Sequence, residues 1–127
     1  MKVLVCGSRS WNDIEFIAKV FERLRGDITI IHGDAQGADT IANCVAEVFE
    51  FAVNKFPITN EDWQKFGRGA GPRRNAQMLS EGKPDVVLAF LDTLVDSPGT
   101  HNMIVQAESQ NVRVITFRKE CHDIIND

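Results

Sequence analysis

The stretch Gly67-Arg68-Gly69-Ala70-Gly71-Pro72-Arg73-Arg74-Asn75 gathers residue types that bind anions. From Lys65 to Arg74 the chain carries Lys65, Arg68, Arg73 and Arg74 and no acid, although the formal net charge of the whole protein is -4. A guanidinium donates charge-assisted hydrogen bonds to phosphate or carboxylate, and glycines without a Cβ let a ligand approach backbone N–H groups. Pro72 suits the first helical position, and Gly82 can stop a helix that continues from Asn75 through Leu79. Arg73 and Arg74 then fall in the first turn, at the positive end of the helix dipole, and are expected to supply the main phosphate contact. The plainer alternative is a solvated loop whose arginines pair with nearby carboxylates.

Three other loops have matching chemistry. Gly7-Ser8-Arg9 follows an apolar run directly, and Ser8 and Arg9 are expected to touch phosphate or ribose. In His32-Gly33-Asp34-Ala35-Gln36-Gly37-Ala38-Asp39, Gly33 and Gly37 either make room for phosphate or serve a tight strand-to-helix turn. Asp39 either accepts from a ribose hydroxyl or is favoured by the helix dipole alone. Ser97-Pro98-Gly99-Thr100 is the fourth loop. Trp63 either stacks on a base or packs its own segment down. His32 and His101 have no partner histidine at ligand spacing, so hydrogen-bonded or solvated imidazoles are expected in place of a metal site. Cys6, Cys44 and Cys121 are widely spaced and odd in number, which suggests neither a disulfide framework nor zinc. No cofactor is expected.

Positioning these loops requires alternating strands and helices. Val3-Leu4-Val5-Cys6 is an unbroken apolar run, the pattern of a strand buried on both faces. Asn12 can cap a first helix whose Ile14, Ile17, Val20, Phe21 and Leu24 recur at helical spacing. Ile28 to Ile31 reads as a second strand, followed by a helix with Ala38, Ile41, Ala42, Val45 and Phe49 on its buried stripe. Phe51 to Phe56 reads as a third strand. Pro57 to Gly71 shows no hydrophobic period and is expected to be a long, mobile loop that orders over a ligand. Val86 to Phe90 is the fourth strand, Asp92 to Gly99 a polar turn, Thr100 the cap of a helix bearing Met103, Ile104 and Ala107, and Val112 to Phe117 the fifth strand. The pattern predicts an α/β, Rossmann-like three-layer sandwich with a five-stranded parallel sheet in the order 3-2-1-4-5. In that order the crevice lies at the carboxyl ends of strands one and four.

With 127 residues, 43% of them hydrophobic and 25% charged, residues 1–127 are expected to form a single soluble domain. No apolar run is long enough to span a bilayer and no signal-peptide layout is present, so a cytoplasmic location is expected and no membrane partner. A sequence pI near 5.3 argues against a broad nucleic-acid surface. A homo-oligomer is left open.

In combination and order, V-x-G-S-R, G-x-x-G-A-D, a tryptophan-bearing loop, A-G-P-x-R-N and G-T-x-x-M resemble the SLOG superfamily, in its small stand-alone YpsA-related branch. The resemblance spans about Met1 to Phe117 and implies a nucleotide-binding domain for a nucleotide or nucleoside-phosphate-like ligand. It implies ligand contacts at Gly7, Ser8, Arg9, Gly33, Gly37, Asp39, Trp63, Gly71, Arg73, Arg74, Asn75, Gly99 and Thr100. The superfamily includes the Lonely Guy phosphoribohydrolases, which split nucleoside monophosphates. Where those enzymes carry their catalytic glutamate this chain has Met103, and a thioether exchanges no proton. The leading expectation is a sensor or sequestering domain. The alternative is an N-glycosidase or ribosyl-transferring enzyme using Asp34, Asp39, Asp92 or Asp96. Single-stranded nucleic-acid binding is a third, weaker alternative, since one branch of the superfamily includes single-strand DNA-processing proteins.

Overall fold

The computed structural model describes residues 1–92 and 97–119. Five strands, β1 (Lys2–Gly7), β2 (Thr29–His32), β3 (Ala52–Lys55), β4 (Val86–Leu91) and β5 (Arg113–Arg118), form one parallel sheet in the order β3-β2-β1-β4-β5. The helices are α1 (Ile14–Glu22), α2 (Ala38–Val48), α3 (Asn60–Phe66), α4 (Ala70–Gly82) and α5 (Pro98–Ser109). Both the Rossmann-like class and the strand order agree with the sequence pattern.

Alternation along β1 divides the core into two layers, because successive side chains of a strand leave opposite faces. Val3 and Val5 join Ile17 and Phe21 of α1 and Ala38, Ala42, Val45 and Ala46 of α2. Leu4 and Cys6 join Met78 and Leu79 of α4 and Met103 and Ala107 of α5. Met103 is 1% exposed, so the position of the absent glutamate is occupied by a packed core side chain. Trp11, which no sequence period singled out, is also buried, its ring edge-on to Phe90 and its Nε1 donating to the Asp13 carbonyl at 3.1 Å.

The switch in chain direction at β1 is closed by Ser8. It is fully buried, its N–H donates to Phe90 O at 2.9 Å, and its Oγ accepts the Asp92 N–H at 2.9 Å. The loops after β1 and β4 therefore meet, as strand order requires. Gly7 makes the close approach possible: a Cβ there would lie 2.3 Å from Phe90 O and 2.7 Å from the Ala38 Cβ.

Several boundaries differ from the sequence expectation. Asp13, not Asn12, caps α1, its Oδ1 accepting the Phe16 N–H at 3.0 Å. The segment expected as a long loop is helical. Thr59 and Asp62 form a reciprocal capping box that starts α3, and a 3₁₀ turn at Gly67–Gly69 runs straight into α4. Pro72 is consequently the third residue of α4, still within the turn whose N–H groups lack intrahelical partners. Gly82 is the last residue of α4, and Lys83 takes the left-handed conformation after it. Ser97 caps α5, with Pro98 at its first position, while Thr100 lies inside the first turn and accepts from Ser97 Oγ at 2.7 Å.

Replacing Asp13 by alanine is expected to lower unfolding free energy by about 1 kcal/mol, the usual size of a lost cap. The same change at Asn12 is expected to cost less, which denaturant melts of the two variants compare.

Candidate ligand site

A cavity of about 660 Å³ opens at the carboxyl end of β1, bounded by α4 and by the start of α5, and lies within the size range of small-molecule sites. Its apolar lining includes Val5, Cys6, Ile58, Trp63, Pro72 and Met78; its charged lining is Arg9, Arg68, Arg74 and Asp39. Gly71 of α4 and Gly99 and Thr100 of α5 complete one side, with Asn75 and Asn102 between them. Trp63, half exposed, is the one residue of α3 in the lining. Among the expected residues, Gly7, Arg9, Asp39, Trp63, Gly71, Arg74, Asn75, Gly99 and Thr100 line this space.

One wall of the cavity is a clamp built on the two backbone polar groups of Gly33. Arg74 Nη1 donates to Gly33 O at 2.7 Å and to Phe56 O at 3.4 Å, while Gly33 N–H donates to Asp39 Oδ2 at 3.1 Å. Ala35 N–H donates to the same carboxylate oxygen at 3.2 Å. Burial pushes the Asp39 pKa up, against the opposing pull of those N–H bonds, His32 and Arg74. Burial pulls the Arg74 pKa down, opposed by Asp39. The thiol of Cys6, buried beside the pair, is likewise pushed up, so it lines the wall as an unreactive apolar group.

Glycines at the site are of two kinds. A Cβ on Gly33 would sit 2.2 Å from Arg74 Nη1, and Gly37, at φ +81°, would place one 2.3 Å from Ser8 O. These two, outside the cavity lining, make room for the protein's own chain. Gly71 and Gly99 are the opposite case: nothing lies within 4 Å of a Cβ on either, and both face the cavity.

Other expected residues lie elsewhere. Arg73 is exposed on the outer side of α4, its guanidinium 3.9 Å from the centre of the Phe66 ring, in a separate depression shared with Asp62 and Gln77. Asp34 is exposed at φ 57°, its N–H held by His32 Nδ1 at 2.9 Å. Asp92 is buried, with its Oδ2 accepting from Ser10 Oγ at 3.2 Å. Asp96 lies outside the described residues. His32 is fully buried between Asp34 N–H and Asn43 Oδ1.

Sequence reasoning counted Arg68 in the basic stretch without assigning it to the site, and passed over Cys6, Met78 and Asn102 as lining residues. Cys6 and Met78 fall on ordinary core stripes, which hide a position at the stripe's end. Asn102 could have been found, since it stands one helical turn after Gly99.

Fold and site together define an open parallel α/β domain with a mixed apolar and cationic cavity at its switch point. The chain belongs to the YspA, cpYpsA-related SLOG family (YAcAr), whose model matches residues 1–66. It is 35% identical over 124 residues to the Gene 61 protein of Mycobacterium phage D29, covering 91% of this chain and 95% of that one. Among solved structures it resembles DNA processing protein A (DprA) from Streptococcus pneumoniae, with a TM-score of 0.57 and 17% identity over 90% of this chain. It also resembles UDP-GlcNAc 2-epimerase from Neisseria meningitidis bound to UDP-GlcNAc, with a TM-score of 0.51 and 19% identity over 92% of this chain. The chain spans 58% and 32% of those two proteins, and at such identities the likeness is one of fold. Membership of the SLOG family fits a nucleotide-related function. No helix among the described residues is long and apolar enough to cross a membrane.

The Asp39 geometry has a signed pH consequence. A carboxyl whose folded pKa lies above its unfolded value stabilises the fold below the ordinary carboxylate range and loses that contribution as pH rises through the folded value. Asp39→Asn keeps an oxygen for both N–H donors and removes the buried charge. It is expected to match or exceed the parent's melting temperature at about pH 7 and to lose that advantage at about pH 4. An asparagine variant less stable than the parent only at neutral pH would show instead that the charge itself holds the clamp.

Proposed function

We propose that this protein binds a nucleoside phosphate in the cavity between the end of β1 and the starts of α4 and α5, as a sensing or sequestering domain. The observation that carries the reading is the lining, which combines an indole and apolar side chains with Arg9, Arg68 and the first turn of α5. An aromatic base gains from stacking on Trp63. A phosphate gains from two guanidinium groups and from the N–H groups of Gly99 and Thr100, which precede the first intrahelical acceptors. Arg74 stands at the rear, with Nη1 and Nε bonded within the protein. The SLOG resemblance supports the same ligand class, and the reading places the protein in the cytoplasm, where nucleoside phosphates are made and used.

Calorimetry with the common nucleoside monophosphates tests this. Arg9→Ala and Arg68→Ala are each expected to weaken binding about ten- to a hundredfold, the value of a charge-assisted hydrogen bond of about 1.5–3 kcal/mol. Arg73→Ala is expected to bind as the parent does, and uncharged nucleosides to lose little in any variant. Absence of binding by the parent, or loss confined to Arg73→Ala, would sink the proposal.

A second reading, N-glycosidic cleavage or ribosyl transfer, is favoured by one observation. Among the described candidate aspartates only Asp39 lines the cavity, and both its hydrogen bonds fall on Oδ2, so Oδ1 accepts from no described residue. A carboxyl with a raised pKa suits a general acid. Free base released from nucleoside monophosphates by the parent and not by Asp39→Asn would establish this activity; tight binding without release leaves the sensing role.

The open glycines give a further expectation. Gly71→Ala and Gly99→Ala put a methyl group where no protein atom lies within 4 Å, and each removes backbone freedom from the unfolded chain. Both variants are expected to be as stable as the parent or more so, by up to about 1 kcal/mol, yet to bind about tenfold more weakly. Thermal melts beside calorimetry read the two effects separately; undiminished binding in both variants would mean the ligand avoids this wall.

A further inference from the structure

Three side-chain amides tie α4 to α5, and their polarity can be worked out from groups that can act in only one sense. Arg74 Nε, which can only donate, meets Asn75 Oδ1 at 3.2 Å. Asn75 Nδ2 must then be the donor to Gly99 O at 3.2 Å, a partner that can only accept, and to Asn102 Oδ1 at 3.1 Å. From the other side, Gln106 Nε2 donates to the carbonyl of Pro72 at 3.1 Å and to Asn102 Oδ1 at 2.7 Å. Both lone pairs of Asn102 Oδ1 are thereby engaged: flipping Asn75 or Gln106 would turn an amide oxygen onto a carbonyl, and flipping Asn102 would set its NH₂ against two amide donors. Asn75 has both its amide protons and its oxygen engaged within the protein, so it positions its neighbours.

Asn102 is left with its NH₂ group. It lines the cavity, and Nδ2 donates to no described residue. We propose that Asn102 is a ligand-binding residue that donates through Nδ2 to an acceptor oxygen of the ligand, held in that sense by Asn75 and Gln106. The proposal deepens the nucleoside-phosphate reading and rests on it for the ligand, but not for the orientation of the amide. A ligand presenting a donor at that point would face two protons and be disfavoured, which makes Asn102 a selector of acceptor-bearing ligands.

The test has two arms on the full chain. In the free protein, side-chain amide NMR is expected to show slow solvent exchange for the NH₂ groups of Asn75 and Gln106 and fast exchange for that of Asn102. Slow exchange at Asn102 without ligand would overturn the orientation whatever the ligand proves to be. Nucleoside monophosphates, uncharged nucleosides and inorganic phosphate are then titrated separately. The Asn102 NH₂ signal is expected to shift and become protected with the monophosphate and with one of its two parts, which names the accepting oxygen as belonging to the phosphate or to the nucleoside. Binding of the monophosphate that leaves this signal unchanged overturns the proposal while leaving the nucleotide reading intact; no binding of any of the probes overturns both. Asn102→Asp keeps an oxygen for Asn75 and Gln106 and removes the donor, whereas Asn102→Leu removes the donor without adding charge. Both are expected to weaken the monophosphate at least about tenfold with the fold retained. Full affinity in Asn102→Leu would overturn the proposal by showing that any loss in Asn102→Asp is charge repulsion alone.

Discussion

Gly33 links the guanidinium of Arg74 to the carboxyl group of Asp39 through its own backbone. Its carbonyl accepts from Arg74 and its N–H, in the preceding peptide group, donates to Asp39, so two ionisable groups that would be costly to bury without partners are each hydrogen-bonded to the backbone of one residue. Three elements depend on this arrangement: the end of β2, which carries Gly33; α2, which carries Asp39; and α4, which carries Arg74. The contact of Arg74 with Phe56 O brings in the chain just after β3 as well. A side chain at Gly33 would displace the guanidinium, which explains the glycine more directly than room for a phosphate does.

The consequence for function is a division of labour around the cavity. The rear is built from groups whose hydrogen bonds are largely satisfied by the protein: Arg74, Asn75 and the buried turn at Ser8. The front presents groups that still have capacity: Arg9 and Arg68, the first turn of α5, the NH₂ of Asn102 and the half-exposed ring of Trp63. In a site divided in this way the polar groups that position the wall need not reorganise when a ligand arrives, which favours the proposed binding.

The fold was legible because its signals are periodic. Strand runs such as Val3–Cys6 and helix stripes such as Ala38, Ala42 and Val45 each mark one buried face, and alternation of the two sets the sheet and its order. α3 escaped because none of its seven residues is buried, so it leaves no hydrophobic period; its only sequence mark is the Thr59–Asp62 capping box. Adjacent residues with equal chemistry were the other difficulty. Asn12 and Asp13 can both cap a helix, as can Ser97 and Thr100. Arg73 and Arg74 stand about 100° apart around α4, and only the tertiary position of the Gly33 carbonyl decides which of them turns inward. The Asn75–Asn102 contact joins two helices that are 27 residues apart at that point, which no single-chain pattern reveals.

In the proposed complex an anionic ligand sits between Arg9, Arg68 and the first turn of α5, with Arg74 behind it. A crystal structure of the protein with a bound nucleoside monophosphate tests this most directly, because the phosphorus position distinguishes the two sides of α4. Density for the phosphate within hydrogen-bonding reach of Arg9 or Arg68 and of the Gly99–Thr100 backbone is the expected result. Phosphate bound instead on the outer side of α4, against Arg73 and Gln77, would contradict it.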